Sequence, residues 1–333
     1  MLTPYIRHDN LDDLMRDTLE AIRMHGRRIK ARRGWCVEVT GVLLELTDVR
    51  ARLSRTETKG TPFSALGEFC WYLSGRSDFA SIDYYLRGAY DAVRDVEPDG
   101  VTISGAYGPR LIGSGRDGQL EGLIRMLTEN PTTRQAVLQL FDADDLRSGQ
   151  RDVPCTCTIQ LLNREGRLEM VTYMRSNDAY KGLPHDVFCF TLLQEWIARR
   201  LGIEVGVYKH AVGSLHIYDE NAERAQRYIN EGFQSTQSPM PPMPKDDPQG
   251  ALLAMLDAEE ALRATPPDYA RAGEREMGVN EYWADLIRLL QAFSQWKEHD
   301  EEAILQTRNR MKSTIYHPFL TRRAQNATDR QAP

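Results

Sequence analysis

Arg175-Ser176-Asn177-Asp178, followed by Gly182-Leu183-Pro184-His185-Asp186, is the stretch on which the reading of this chain turns. Pro154-Cys155 precedes it and His216-Ile217-Tyr218 follows it. Arg175 stands 20 positions after Cys155, Asp186 a further 11 on, and His216 41 after Arg175. In that order the residues read as a nucleophile, an anion clamp, a base reader and a sugar reader. A cysteine close to an arginine suits attack on an electron-poor ring carbon, because the cation favours thiolate over thiol and also holds a phosphate. The set points to an enzyme acting on a pyrimidine nucleotide.

Around this stretch, residue patterning sets the elements. Thr156 to Leu162 and Leu168 to Arg175 read as strands joined by the turn Asn163-Arg164-Glu165-Gly166, which puts Cys155 at a strand entrance. Val187 to Leu201 reads as a long apolar helix starting directly after Asp186 and ended by Gly202. Val205 to Tyr208 and His216 to Tyr218 read as two further short strands. Upstream, residues 1–29 hold an amphipathic helix over Leu11 to Met24, and the basic segment Arg27 to Arg33 comes next. Trp35 to Thr47 reads as a buried strand with a turn at Gly41, Phe63 to Leu73 as a core helix, and Gln135 to Phe141 as a strand. Downstream, 234–250 is a Pro-rich loop and 251–323 is helical, with Glu281 to Gln306 as its strongest stretch. A last short segment starts at Ile315, and 324–333 is expected to be disordered. One domain over 1–333 is the expectation.

Composition excludes several classes. With 333 residues and 41% hydrophobic content the chain supports a substantial core, and a net charge of -6 argues against a general nucleic-acid binder. No apolar run reaches the length of a membrane span and Met1 to Asp12 has no secretory h-region, so a cytoplasmic protein with no membrane partner is expected. The five cysteines form no CxxC pair, which suggests neither a disulfide framework nor a metal site.

The quoted residues resemble the thymidylate synthase family, whose pattern is Pro-Cys, Arg-Ser-x-Asp twenty residues on, Gly-Leu-Pro-Phe-Asn, then His-x-Tyr. Glu68-Phe69-Cys70-Trp71-Tyr72-Leu73-Ser74-Gly75 is similar to its Glu-Leu-Leu-Trp-Phe-Leu-x-Gly helix, and Gly105-Ala106-Tyr107-Gly108 to its Gly-x-x-Tyr-Gly. The resemblance implies an α+β fold, a single domain whose large mixed or antiparallel sheet is flanked by helices. It also implies a homodimer with shared active sites, and 5,10-methylenetetrahydrofolate as co-substrate with no metal. By the same resemblance Cys155 is the nucleophile, Glu68 organises the water and proton network, and Tyr107 belongs to the catalytic set. Asp178 contacts folate and pyrimidine, Arg175 and Ser176 bind the phosphate, and His216 and Tyr218 hold the sugar hydroxyl. Arg134, in a Thr133-Arg134 pair where the family has two arginines, reaches across the interface. Arg33 or its neighbour Arg32 supplies an N-terminal phosphate contact, and Lys59 a folate contact. Thr156 replaces the family's histidine after the cysteine, with Arg175 as the main stabiliser of the thiolate. His185 replaces its phenylalanine and reads as a packing change.

Two departures set the expected function. Asp186 stands where thymidylate synthases have asparagine. An amide donates to O4 and accepts from N3-H of uracil, whereas a neutral carboxyl donates to N3 of cytosine and accepts from its amino group. The family's Trp-Asp-x-Trp, which shields the exocyclic carbon from water, has as its nearest counterpart Ala89-Tyr90-Asp91-Ala92. The resemblance with these departures implies a cytidylate 5-hydroxymethylase on CMP or dCMP. The alternatives are a C5 methyltransferase on a pyrimidine nucleotide and a catalytically idle nucleotide-binding homologue. The sugar, and a role in DNA-precursor supply or in nucleoside-antibiotic biosynthesis, stay open.

Overall fold

The computed structural model describes residues 5–54, 56, 62–90, 99–113, 118–146, 152–232 and 239–329. Its strands are β1 (Tyr5–His8), β2 (Arg27–Ala31), β3 (Gly34–Leu46), β4 (Val137–Gln139), β5 (Thr156–Arg164), β6 (Arg167–Asp178) and β7 (Glu204–Tyr218). Its helices begin with α1 (Leu11–His25), α2 (Pro62–Leu73), α3 (Phe79–Tyr85), α4 (Tyr107–Ile112), α5 (Gln119–Glu129) and α6 (Leu183–Arg200). They continue with α7 (Ala222–Asn230), α8 (Pro248–Arg263), α9 (Tyr269–Met277), α10 (Glu281–Lys297), α11 (Glu301–Arg310) and α12 (His317–Asp329). The strands form one mixed sheet in the order β1-β3-β7-β6-β5-β4, with β2 also on β3. This is the α+β arrangement, a mixed sheet flanked by helices, that the resemblance implies.

Period-two patterning explains how the sheet is buried. Along β6, Leu168, Met170, Thr172 and Met174 are buried, while Tyr173 on the opposite face is 45% exposed. The buried face meets α6, which also packs on α2, and α2 in turn packs on α10. Helix α6 starts at Leu183 with Pro184 in its first turn, where the missing N–H costs nothing. It carries Asp186 near its N-terminus and Arg199 and Arg200 near its C-terminus, in line with the helix dipole. Gly67, beside Glu68 on α2, sits against the Tyr85 ring of α3, where an added Cβ would lie 2.3 Å from a ring carbon.

Several elements differ from the expectations. The two short strands expected at 205–208 and 216–218 are parts of the single strand β7. Paired on one side with β3 and on the other with β6, its backbone groups are satisfied along most of its length. Gly41 makes no turn; it takes φ +68 within β3, which continues to pair with β7 on either side. The helix after the Gly-Leu-Pro stretch begins three residues before Asp186, so this carboxyl lies inside the first turn. The N-terminal segment holds β1 and β2 as well as α1, and the basic residues Arg27 and Arg28 belong to β2. The stretch 281–306 is two helices, divided where His299 takes φ +61 and Asp300 caps Ala303. Helix α12 runs to Asp329, into the segment expected to be disordered; residues 330–333 lie outside the described residues.

Candidate active site

The sheet brings the motif residues to one end. β6 and β7 run parallel with Ser176 opposite Ser214 and Asp178 opposite His216. β5 runs antiparallel to β6, so the start of β5 meets the end of β6, and the Arg175 N–H donates to the Cys155 carbonyl at 2.9 Å. Two residues apart on β7, His216 and Tyr218 set their rings edge to face, with centroids 4.8 Å apart.

Arg175 braces the loop that carries the cysteine. Its Nε donates to the Pro154 carbonyl at 2.9 Å and its Nη2 to the Val153 carbonyl at 2.7 Å, and Nη2 lies 3.8 Å from the Cys155 Sγ. Nη1 takes no part in these bonds. Arg175 is the strongest influence favouring the thiolate, ahead of Arg33, but burial outweighs it. Burial pushes the Cys155 thiol above its ordinary range. Arg175 works against that shift, Asp186 and Asp152 add to it, and Arg33 opposes it weakly. In the nucleotide-free protein, alkylation of Cys155 by iodoacetamide should therefore climb about tenfold per pH unit between roughly pH 7 and 9 with no plateau. Peptide mass spectrometry reads that rate, and a plateau near neutrality would show a thiolate already formed.

Asp186 is 8% exposed and is held by a buried chain of polar groups. Asn177 Nδ2 donates to Asp186 Oδ2 at 2.7 Å, Asn177 Oδ1 lies 3.1 Å from His210 Nε2, and His210 Nδ1 lies 2.7 Å from the Tyr208 hydroxyl. Burial lowers the His210 imidazole to about 3, so it is neutral, and a single N–H then serves this chain. Burial raises the Asp186 carboxyl well above the usual carboxylate range. The charges of Glu68 and, less strongly, Asp178 add to the shift and the Asn177 bond opposes it.

Glu68 sits in a second polar cluster. Its Oε1 accepts from the Tyr72 hydroxyl at 2.8 Å and the Tyr90 hydroxyl at 3.5 Å, and its Oε2 lies 2.9 Å from His185 Nδ1. His185 Nε2 lies 3.3 Å from Ser64 Oγ. The reading of His185 as a packing change is thereby corrected: its ring joins a carboxylate to a hydroxyl. The Tyr72 ring is 5.0 Å from that of Tyr107, whose hydroxyl accepts from the Thr156 N–H at 3.0 Å, next to Cys155. Tyr90, from the segment nearest the missing tryptophan motif, lies edge-on to Trp71 at 5.7 Å and brings a phenol toward Glu68.

The remaining motif residues divide. Asp178 Oδ1 accepts from the N–H groups of Tyr180 and Lys181 at 2.8 and 2.9 Å, which fixes the carboxylate and leaves its second oxygen as an acceptor for a ligand. Of the two basic candidates, Arg33 acts electrostatically on both Cys155 and Tyr218, whereas Arg32 acts on Asp152. Arg134 is exposed just before β4, at the sheet edge beyond β5; among the described residues no side-chain contact joins it to this cluster. Lys59 lies outside the described residues. Sequence reasoning gave no role to Asn177, Tyr72 or Asp152, whose Oδ2 accepts from the Gly105 N–H at 2.7 Å. Asn177 carried a signal as a polar residue between the clamp and Asp178, and Tyr72 as a hydroxyl-bearing ring where the family's helix has phenylalanine.

No group of three or more His, Cys, Asp or Glu side chains able to hold a metal ion occurs among the described residues. No helix among them is long and apolar enough to cross a membrane. Residues 14–248 match the thymidylate synthase family. The chain is 36% identical to the deoxyuridylate hydroxymethyltransferase of Pseudomonas phage M6 over 167 residues, 49% of this chain and 46% of that protein. It is 26% identical to the deoxyuridylate hydroxymethyltransferase of Bacillus phage SP01 over 289 residues, 81% of this chain and 69% of that protein. With a thymidylate synthase of Listeria monocytogenes it shares 28% identity over 152 residues, 46% of this chain and 47% of that one. The chain thus spans about half the length of two of these relatives.

Proposed function

The chain belongs to the thymidylate synthase family, and from that premise we propose that it is a cytidylate 5-hydroxymethylase acting on CMP or dCMP. Membership supports a pyrimidine C5 one-carbon transferase, with methylenetetrahydrofolate as the co-substrate it would use. The observation that carries the finer reading is Asp186: a buried carboxyl pushed up toward its neutral form, at the base-reading position. A neutral acid has a proton to give to cytosine N3 and a carbonyl to accept from the amino group. The Asn177 bond holds the side chain in place for it.

In this reading the Cys155 thiolate adds to C6 of the base, and the electron pair moves toward C5 and N3. Asp186 protonates N3 as charge develops there. Methylenetetrahydrofolate, when bound, supplies the one-carbon unit that C5 takes up, and the fixed carboxylate of Asp178 suits an amino-substituted pterin edge. Loss of the C5 proton, with the bond between the one-carbon unit and the folate nitrogen breaking so that tetrahydrofolate leaves, would give an exocyclic methylene on the pyrimidine. Water captures that carbon with Glu68 as proton acceptor, and Cys155 leaves as thiolate. Arg175 through Nη1, Ser176 and Arg33 bind the phosphate, while His216 and Tyr218 hold the sugar hydroxyl. A single domain and a homodimer complete the proposal; the exposed Tyr173 and Val137 on the sheet and the isolated Arg134 support a second subunit there.

A second reading, hydroxymethylation of a uridylate, is favoured by the similarity to the deoxyuridylate hydroxymethyltransferases of the two phages. A neutral carboxyl can also donate to O4 and accept from N3-H. The deciding experiment incubates the protein with methylenetetrahydrofolate and each of CMP, dCMP, UMP and dUMP and weighs the product. A hydroxymethyl product, one oxygen heavier than the methyl one, formed from a cytidylate in preference is the expected result. Preference for a uridylate sinks the cytidylate reading, and a methyl product sinks hydroxymethylation.

A further inference from the structure

Water capture needs more than an open site, because a neutral water must lose a proton as its oxygen bonds to carbon. The Glu68 carboxylate is oriented from both sides. Tyr72 donates to Oε1 at 2.8 Å from one turn along α2, and His185 Nδ1 lies 2.9 Å from Oε2 from the first turn of α6. The Glu68 and His185 side chains are 9% and 12% exposed, so solvent does little to loosen the pair. Ser64 Oγ, 3.3 Å from Nε2, gives that nitrogen a hydroxyl partner and leaves Nδ1–H as the donor to the carboxylate. A phenylalanine at 185 would fill a similar space and offer no donor.

We propose that His185 is a positioning residue for hydration: by donating Nδ1–H to Glu68 Oε2 it holds the carboxylate as the proton acceptor for the attacking water. This rests on the hydroxymethylase reading above. In the step itself the water oxygen bonds to the exocyclic methylene carbon and its proton passes to Glu68. The electron pair of that double bond moves into the C5–C6 bond, and the C6–S bond breaks to free the Cys155 thiolate. No oxidant or reductant is needed.

The test compares water with a nucleophile that brings its own negative charge. Tritium release from C5-labelled nucleotide counts formation of the exocyclic methylene. Run in 2-mercaptoethanol, the reaction then divides between hydroxymethyl product and thioether adduct. His185→Phe should raise the thioether to hydroxymethyl ratio by about tenfold or more. His185→Asn, which keeps an N–H near the Nδ1 position, should bring the ratio back to within about threefold of wild type. Tyr72→Phe, which removes the donor to the other oxygen, should shift the ratio in the same direction as His185→Phe. An unchanged ratio in every variant that releases tritium overturns the assignment, as does an equal rise in His185→Phe and His185→Asn, which would report ring shape alone. A wild type that makes only methyl product overturns the hydroxymethylase reading and this proposal with it. A wild type that makes hydroxymethyl product with unshifted variants overturns the proposal alone.

Discussion

Replacing Cys155 with serine is expected to lower kcat by about four orders of magnitude or more while nucleotide binding changes little. The alcohol keeps the size and place of the thiol at the start of β5 and the bracing of its loop by Arg175 through the Val153 and Pro154 carbonyls. It lacks a nucleophile of comparable strength, because an alkoxide in this buried setting is far harder to form than a thiolate. Calorimetry with the preferred nucleotide and C5 tritium release separate binding from addition, and tritium release near the wild-type rate would end the covalent mechanism. The same variant tests the shared site. Mixed with Arg134→Ala under subunit exchange, it should recover activity, up to about a quarter of wild type at statistical mixing, since each mixed dimer holds one site with Cys155 and the partner's arginine intact. Recovery that fails although exchange is shown by mass would remove the interface role of Arg134.

Asp186→Asn is expected to move the ratio of kcat/KM for cytidylate over uridylate by roughly tenfold to a hundredfold toward uridylate, the worth of about 1 to 3 kcal/mol at a buried polar mismatch. The physical reason is the proton. Thiolate addition at C6 drives electron density onto cytosine N3, which a neutral Asp186 can protonate and an amide cannot. Uracil already carries its N3 proton, and the charge growing on its O4 needs only a hydrogen-bond donor, which an amide supplies. Volume and shape hardly change, and an asparagine oxygen can still accept from Asn177 Nδ2 as Oδ2 does now. Rates for both nucleotides with both proteins give the answer, and a preference that does not move would show that Asp186 does not select the base.

The two predictions draw on different parts of what was legible. The motif order and spacing already implied that Cys155, Arg175, Asp178, Asp186 and His216 work together, and the sheet register brings the ends of β5, β6 and β7 to one place. Element boundaries were less legible. The sequence reads Val205 to Tyr208 and His216 to Tyr218 as two short strands where one strand runs, because residue patterning is local while pairing with β3 and β6 on both sides is not. His185 was misread for a related cause: a substitution for phenylalanine in a helix looks like packing until α2 is seen beside it, 117 positions away, with Glu68 in reach.

By itself the sequence determined the family, the α+β class and the likeness of the site to one that handles a pyrimidine nucleotide, since these rest on residue types at short, countable spacings. The tertiary structure alone decided the chemical state of those residues. Burial pushes the Cys155 thiol up against the pull of Arg175, and burial beside Glu68 pushes the Asp186 carboxyl up, toward its neutral form. The chain from Asp186 through Asn177 and His210 to Tyr208 was likewise visible only once α6, β6 and β7 were packed. Desolvation and hydrogen bonding sum over neighbours from distant parts of the chain, and no local pattern carries that sum.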